Sequence, residues 1–236
     1  MARGVPSEKD AARERERRDP LATRQALLRA AEELFSARGF DGVPIEEIAQ
    51  RAGVNKALIS YHFRGKRGLY AAVLASAFAE MAARVESIEA GAADAAEALH
   101  GVVGALAAVA RERPGFPTLF VREVLATGLD PTVLPYLVRI LGVSRRLAER
   151  GVREGLFRRV DPLLLHFALV GSLVFFFSTE RARQRAVADG LVPFAMPDTR
   201  AFARFVEETT LRGLAPCRRP RPSRRPPSTR RKGARA

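Results

Sequence analysis

PIEEIAQRAGVNKALISYHFRGKRGL, residues 44–69, decides how this chain is read. Ile45, Ile48, Ala49 and Ala52 recur at i, i+3, i+4 and i+7, which is one face of a short helix. Pro44 stands where a first helical residue tolerates the loss of its N–H, because that donor has no partner inside the helix. Gly53 follows directly and supplies a left-handed residue that ends the helix without a Cβ clash. Asn55 then offers a side-chain oxygen to cap a second helix. On that helix Ile59 and Phe63 point inward, while Lys56, Ala57, Ser60 and Tyr61 point away. Two short helices joined by a Gly-containing turn make a helix-turn-helix.

The outward residue types suit duplex DNA. The second helix of such a unit lies in the major groove, with its N-terminal residues at the base edges. Lys56 suits guanine acceptors or phosphate, Ala57 and Leu58 suit a thymine methyl, and Ser60 suits either kind of edge. Tyr61, His62, Lys66 and Arg67 are placed for phosphates, which fix register rather than sequence. Lys66 also opens the next helix, where free backbone amides add to the hold on an anion.

LLRAAEELFSARGF (27–40), IEEIAQRAGV (45–54) and NKALISYHFRGKRGLY (55–70), taken together, resemble the DNA-binding module of the TetR/AcrR family of bacterial transcriptional regulators. Two positions depart from the family pattern. Pro44 stands where Ser or Thr is common, which leaves one phosphate contact without its hydroxyl. Ser60 stands where Tyr is usual, with Tyr61 following it. The resemblance implies a homodimer on double-stranded DNA, with the last two helices of each subunit, 162–178 and 198–213, forming a four-helix interface. Leu163, Phe167, Val170, Val174, Phe177, Phe202, Phe205 and Thr209 are its candidate residues. The resemblance also implies a pocket in the larger domain whose small-molecule occupant moves the two DNA-binding heads apart. His100, Phe116, Phe120, Tyr136 and His166 are candidates for its lining, with ordinary core packing as the competing reading of each.

Charge is unevenly spread along the 236 residues. Nine basic residues and no acid lie from Pro216 to the end, and without them the net charge falls from +14 to +5. Residues 216–236, rich in Pro, Ser and Arg, are expected to stay disordered and to hold nucleic acid loosely, at any sequence, with a steep salt dependence. A solvated end without a specific role is the competing reading. The single cysteine, Cys217, cannot form an internal disulfide, which fits a reducing cytoplasm. No signal sequence is expected at the N-terminus. The longest apolar run, 163–177, is interrupted by His166 and falls short of the roughly 17–25 residues of a membrane span, so no membrane partner is expected.

Taken in order, residues 1–18 form a mixed-charge arm and 19–65 a three-helix DNA-binding domain opened by Asp19-Pro20 and stopped, in its first helix, at Gly39. Residues 66–215 form the larger helical domain. A long helix runs from Lys66 through Leu69, Val73, Phe78, Met81, Val85 and Ile88. Asp94 and Glu97 form a capping pair for a helix whose Gly101, Gly104, Ala105 and Ala108 allow close packing. Asp130-Pro131 and Asp161-Pro162 repeat the opening signal, 181–196 reads as a connecting loop, and Asp198 starts the last helix. No stretch alternates as a strand does, so the spacing predicts an all-α fold of about nine helices.

The chemistry-bearing residues point away from catalysis. His62, His100 and His166 are widely separated and, with one cysteine, give no zinc spacing. No Walker loop, dinucleotide fingerprint or nucleophile elbow is present, and no cofactor is implied. Glu32-Glu33, Glu46-Glu47 and Glu207-Glu208 are expected on solvated helix faces. The leading expectation is a ligand-responsive repressor without catalytic activity. The alternatives are an architectural protein coating DNA or RNA through the basic tail, and an α-helical enzyme, for which no acid/base or metal group is assembled.

Overall fold

A computed structural model describes residues 19–126 and 130–216; the arm 1–18 and the Arg-rich segment from Cys217 onward lie outside the described residues. Ten helices and no strand occur among them: α1 Pro20–Arg38, α2 Ile45–Ala52, α3 Ala57–Phe63, α4 Lys66–Gly91, α5 Ala95–Glu112, α6 Phe116–Ala126, α7 Leu134–Arg153, α8 Pro162–Ser178, α9 Glu180–Ala188 and α10 Thr199–Leu214. The Asp caps form as expected at four sites. The carboxylates of Asp19, Asp94, Asp161 and Asp198 accept backbone N–H groups in the first turns of α1, α5, α8 and α10, at 2.7–3.3 Å. Each satisfies amides that a helix start leaves without partners.

Three expectations are corrected. Asp130-Pro131 does not open a helix. Asp130 bonds the N–H and hydroxyl of Thr132 at 2.9 and 2.7 Å, closing a turn, and α7 starts only at Leu134. The stretch 181–196 is not all loop, since α9 occupies Glu180–Ala188. Periodicity missed α9 because it buries no residue. Apart from Val187 it is built from Ala, Arg, Gln and Glu, whose intrinsic propensity for helix is high. Its anchor is Arg183, which lies 3.6 Å over the Phe176 ring and bonds Thr179 Oγ1 at 2.7 Å. Gly104, finally, packs against nothing: a Cβ there would find open space, whereas one on Gly101 would strike Ile88.

α4 is the central strut. It packs on α1 and α3 at one end and on α5 and α7 along the rest. By length and composition it could cross a bilayer, yet half of its most apolar window is buried inside the fold, where Leu69, Val73, Leu74, Ala77, Phe78, Met81 and Val85 face the core. Apolar area removed from water at one helix by its neighbours, α6 among them, is the main stabilising term here.

The first three helices meet the rest of the chain through specific contacts. Arg113, at the end of α5, holds the Glu32 carboxylate of α1 through Nε at 2.9 and 3.0 Å and reaches Glu80 of α4 at 3.4 Å. Glu80 and Glu112 in turn hold Arg84. The Tyr70 hydroxyl donates to the Glu123 side chain, and burial first, then that carboxylate, push the phenol above its ordinary pKa. Glu32 is therefore not on a solvated face. Its side chain and that of Arg113 are 15 % and 16 % exposed.

α8 is not a uniform helix. Its middle, Phe167–Gly171, widens into a π-helical turn. Leu165, Leu169, Leu173, Phe176 and Phe177 are buried on one side of it. Leu163, Leu164, Phe167 and Phe175 are exposed on the other.

Candidate nucleic-acid interface

The helix-turn-helix is assembled on a small aromatic and aliphatic core. Leu27, Leu28, Ala31 and Phe35 of α1 meet Val43, Ile48, Ile59, Phe63 and Leu69, all buried. Phe35, Phe40 and Tyr70 form a triangle of rings with centroids 5.1–6.0 Å apart. Arg51 holds Glu33 at 2.7 Å and Arg38 holds Glu47 at 2.6 Å, two exposed pairs that tie α2 to α1. Exposed pairs of this kind contribute little stability, typically less than about 1 kcal/mol each, so the angle between helices rests on the buried side chains.

The turn follows the sequence reading. Gly53 adopts φ 71° and ψ 24°, and its N–H bonds the carbonyls of Ala49 and Gln50. The Asn55 side chain accepts from the Ala57 N–H at 2.9 Å. Pro44 sits one residue earlier than expected. It is the N-cap of α2, with extended backbone and no side-chain oxygen to offer, and the chain leaves Glu46 and Glu47 in the first turn instead. Negative charge there favours the helix dipole. α3 ends in a left-handed residue that is not glycine: Arg64 at φ 60°.

α3 divides as expected. Ile59 is fully buried and Phe63 nearly so; Asn55, Lys56, Ala57, Ser60 and Tyr61 are exposed, with Leu58 and His62 half-buried. Tyr61 is 79 % exposed, its ring edge-on to His62 at 4.9 Å. Two cations are not free. Lys56 Nζ lies 3.4 Å from Glu46 of α2. The Glu46 carboxyl is held below its ordinary pKa by its own backbone N–H and then by Lys56. Lys66 is drawn onto the Phe40 ring at 4.5 Å rather than projecting beside the amides of α4. Arg24 of α1, which spacing did not single out, has its guanidinium 5.3 Å over the Phe63 ring.

The residues expected to line a pocket are brought together only in part. A cavity of about 130 Å³ between α4, α5, α6, α7 and α8 takes Phe116, Phe120 and His166 into its lining, with Phe78, Met81, Ile140 and Phe177. His100 lies outside it, on the surface, its Nδ1 2.8 Å from Glu207 of α10. Tyr136 also lies outside the lining, packed against the core with Arg139 5.9 Å over its ring. Among the expected interface residues, Leu163, Phe167, Phe205 and Thr209 are exposed, and Val170, Val174 and Phe202 are half-buried. Phe202 stacks on Phe176 at 3.9 Å. Phe177 is buried and lines the cavity, to which Phe167, Val170 and Val174 also contribute.

Residues 27–73 match the family described as bacterial regulatory proteins, tetR family. The chain is 30 % identical over 200 residues to the HTH-type transcriptional repressor NicS of Pseudomonas putida, covering 81 % of this chain and 92 % of that protein. This chain belongs to the TetR family. The HTH-type transcriptional regulator RutR of Escherichia coli is 28 % identical over 195 residues, 73 % of this chain and 92 % of RutR. Among solved structures, the TetR family regulator PfmR of Thermus thermophilus superposes with a TM-score of 0.63 at 25 % identity, over 80 % of this chain and 99 % of that one. FadR of Bacillus subtilis, solved in complex with stearoyl-CoA, shares the fold with a TM-score of 0.67 at 18 % identity, over 80 % and 98 %.

As a TetR-family member the chain is a DNA-binding transcriptional regulator and not an enzyme. The carboxylate pairs singled out in the sequence have structural partners to match: Glu32 with Arg113, Glu33 with Arg51, Glu46 with Lys56, Glu47 with Arg38, Glu207 with His100 and Glu208 with Arg212. Among the described residues no group of three or more His, Cys, Asp or Glu is placed to hold a metal ion. Leu164 and Phe175, within the apolar run 163–177, are exposed as well. A helix apolar on every side carries no phase from which to tell its two faces apart.

Proposed function

We propose that this regulator is a homodimeric repressor that binds a palindromic operator and leaves it when a small molecule occupies the cavity under α8. The supporting observation is the split of α3: two side chains anchored in the core and Lys56, Ala57, Ser60 and Tyr61 presented outward on a short rigid helix. Phosphate contacts from Tyr61, His62 and the lysines set register, and base-edge contacts from the start of α3 set sequence. Residues 19–65 act as the reading head and 66–215 as the pairing and effector domain.

Pairing is supported by the outer face of α8 and its neighbour α10. Leu163, Leu164, Phe167, Phe175 and Phe205 are between 48 % and 69 % exposed in the single chain. A contiguous set of large apolar side chains in water marks an interaction surface. A twofold pair matches the symmetry of a palindrome, with half-sites about one helical turn or a multiple apart. The setting in which such a protein works is the bacterial cytoplasm.

Sedimentation of the purified chain followed by footprinting on its own upstream DNA tests the reading. A dimer protecting an inverted repeat is expected at moderate salt. A chain that stays single with and without DNA, or that protects no preferred sequence, overturns it.

A further inference from the structure

We propose that the cavity under α8 takes an uncharged, single-ring aromatic molecule of the phenol class, its hydroxyl at Nε2 of His166. This deepens the effector reading above and rests on it. Size is the first reason. The cavity measures about 130 Å³. An engineered apolar cavity of ~150 Å³ in another protein stays dry and binds benzene. One ring fits here; a long acyl chain or a fused ring system does not fit without the helices parting.

The lining supplies the second reason. Phe78 meets Phe116 and Phe120 edge-on, each with centroids 5.0 Å apart, and Phe177 adds a fourth ring from α8. Edge and face contacts to such rings favour an aromatic guest. No Lys, Arg, Asp or Glu lines the cavity, so a charged guest would give up its hydration with no counter-ion in return.

His166 supplies the third. It is the one titratable side chain of the lining. Its Nδ1 is tied to Ser144 Oγ at 3.0 Å, and Nε2 has no partner among the described residues. Burial lowers its pKa, which favours the neutral ring, with one nitrogen donating and the other accepting. A neutral guest with one hydroxyl can meet Nε2 with whichever role the Ser144 contact leaves it. The π-turn Phe167–Gly171 contributes Phe167, Val170 and Gly171 to the lining, so the widened turn of α8 and the cavity coincide. Such turns cluster at functional sites.

Calorimetric titration of the full-length protein with phenol, toluene and benzoate at neutral pH tests the assignment. Phenol is expected to bind, toluene to bind about three- to tenfold more weakly for want of one hydrogen bond, and benzoate to bind at least about tenfold more weakly than phenol for want of a cation. His166→Leu should bring phenol down to the toluene level and leave toluene unchanged. Ala110→Leu, which fills the cavity from α5, should abolish both. If Ala110→Leu fails to fold by circular dichroism, the three-ligand comparison on the parental protein decides alone. Benzoate binding as tightly as phenol, no phenol binding, or an unchanged phenol-to-toluene ratio in His166→Leu overturns the assignment. Operator release separates the two readings. Release by some other compound with no phenol binding overturns the phenol class and leaves the regulator standing. Phenol binding without release upholds the cavity's chemistry and overturns the effector role.

Discussion

Replacing Gly68 by alanine should damage DNA binding from inside the protein, without touching any residue on the exposed side of α3. Gly68 lies in the first turn of α4, and a Cβ built there falls 1.8 Å from the carbonyl oxygen of Phe63 and 3.0 Å from its carbonyl carbon. Phe63 is the last residue of α3. The obstacle is backbone, so no rotamer change relieves it, and a separation near 3.0 Å requires α3 and α4 to part by more than 1 Å. Overpacking of this kind costs about 1–3 kcal/mol. The change also gains about 1 kcal/mol, because alanine suits a helix interior better than glycine. With a backbone obstacle the steric cost is the larger effect, leaving a net loss of up to about 2 kcal/mol. That corresponds to a fall in melting temperature of up to roughly 8 °C for a chain of this size. Displacing the end of α3 also shifts Ser60 and Tyr61, and every base-edge contact that no longer forms costs about 1–3 kcal/mol, or roughly five- to 150-fold in affinity. Gly104→Ala is the matched control: the same substitution in α5, where an added Cβ meets nothing, should raise stability by about 0.5–1 kcal/mol and leave DNA binding unchanged. Thermal melts and gel shifts on both variants measure the contrast. Equal melting and equal operator affinity for Gly68→Ala and the parental protein would refute the close approach on which the placement of α3 depends.

Arg113→Ala strands the Glu32 carboxylate, which is 15 % exposed, and should cost about 2–4 kcal/mol; a Glu32→Ala, Arg113→Ala double variant should lose clearly less than the sum of the singles, and strict additivity in chemical denaturation would show that the pair is not coupled. Lys56→Ala should weaken operator binding by about 1–3 kcal/mol if the ammonium leaves Glu46 for a guanine, and by an amount equal on operator and random DNA if it meets only phosphate. Because burial lowers the pKa of His166, the unfolded chain binds this proton more readily than the folded one. The stability it contributes is present above the ordinary histidine value and is lost as pH falls through the folded pKa, so between pH 7.5 and 5.5 the parental protein should lose more melting temperature than His166→Leu. Deleting 217–236 removes nine cations; the salt dependence of binding should become shallower while preference for the operator survives, and loss of all binding would favour a nucleic-acid coating protein instead.

The reading head was legible because every signal in it is local. Gly53 acts through its own backbone within one helical turn, Asn55 through a side-chain bond to the Ala57 N–H two residues on, and Ile59 and Phe63 mark the inner face of α3 by spacing alone. Caps at Asp19, Asp94, Asp161 and Asp198 are local for the same reason. Where the reading failed, the deciding interaction left no periodic trace in the sequence. Asp130 found a hydroxyl at Thr132 and made a turn in place of a helix start. α9 stands on propensity and on one arginine over Phe176, neither of which repeats at helical spacing.

What the sequence by itself determined, then, is the helical class, the helix-turn-helix and the side of α3 that faces solvent, since these depend on neighbours within a turn or two. Only the tertiary structure decided that Phe116, Phe120 and His166 share a cavity while His100 stands outside on Glu207, and that Phe177 looks inward from α8 while Phe167 is exposed. Those outcomes are set by how five helices cross one another. A crossing angle is fixed by side-chain ridges meeting from segments far apart in the chain, and no window along one chain contains both.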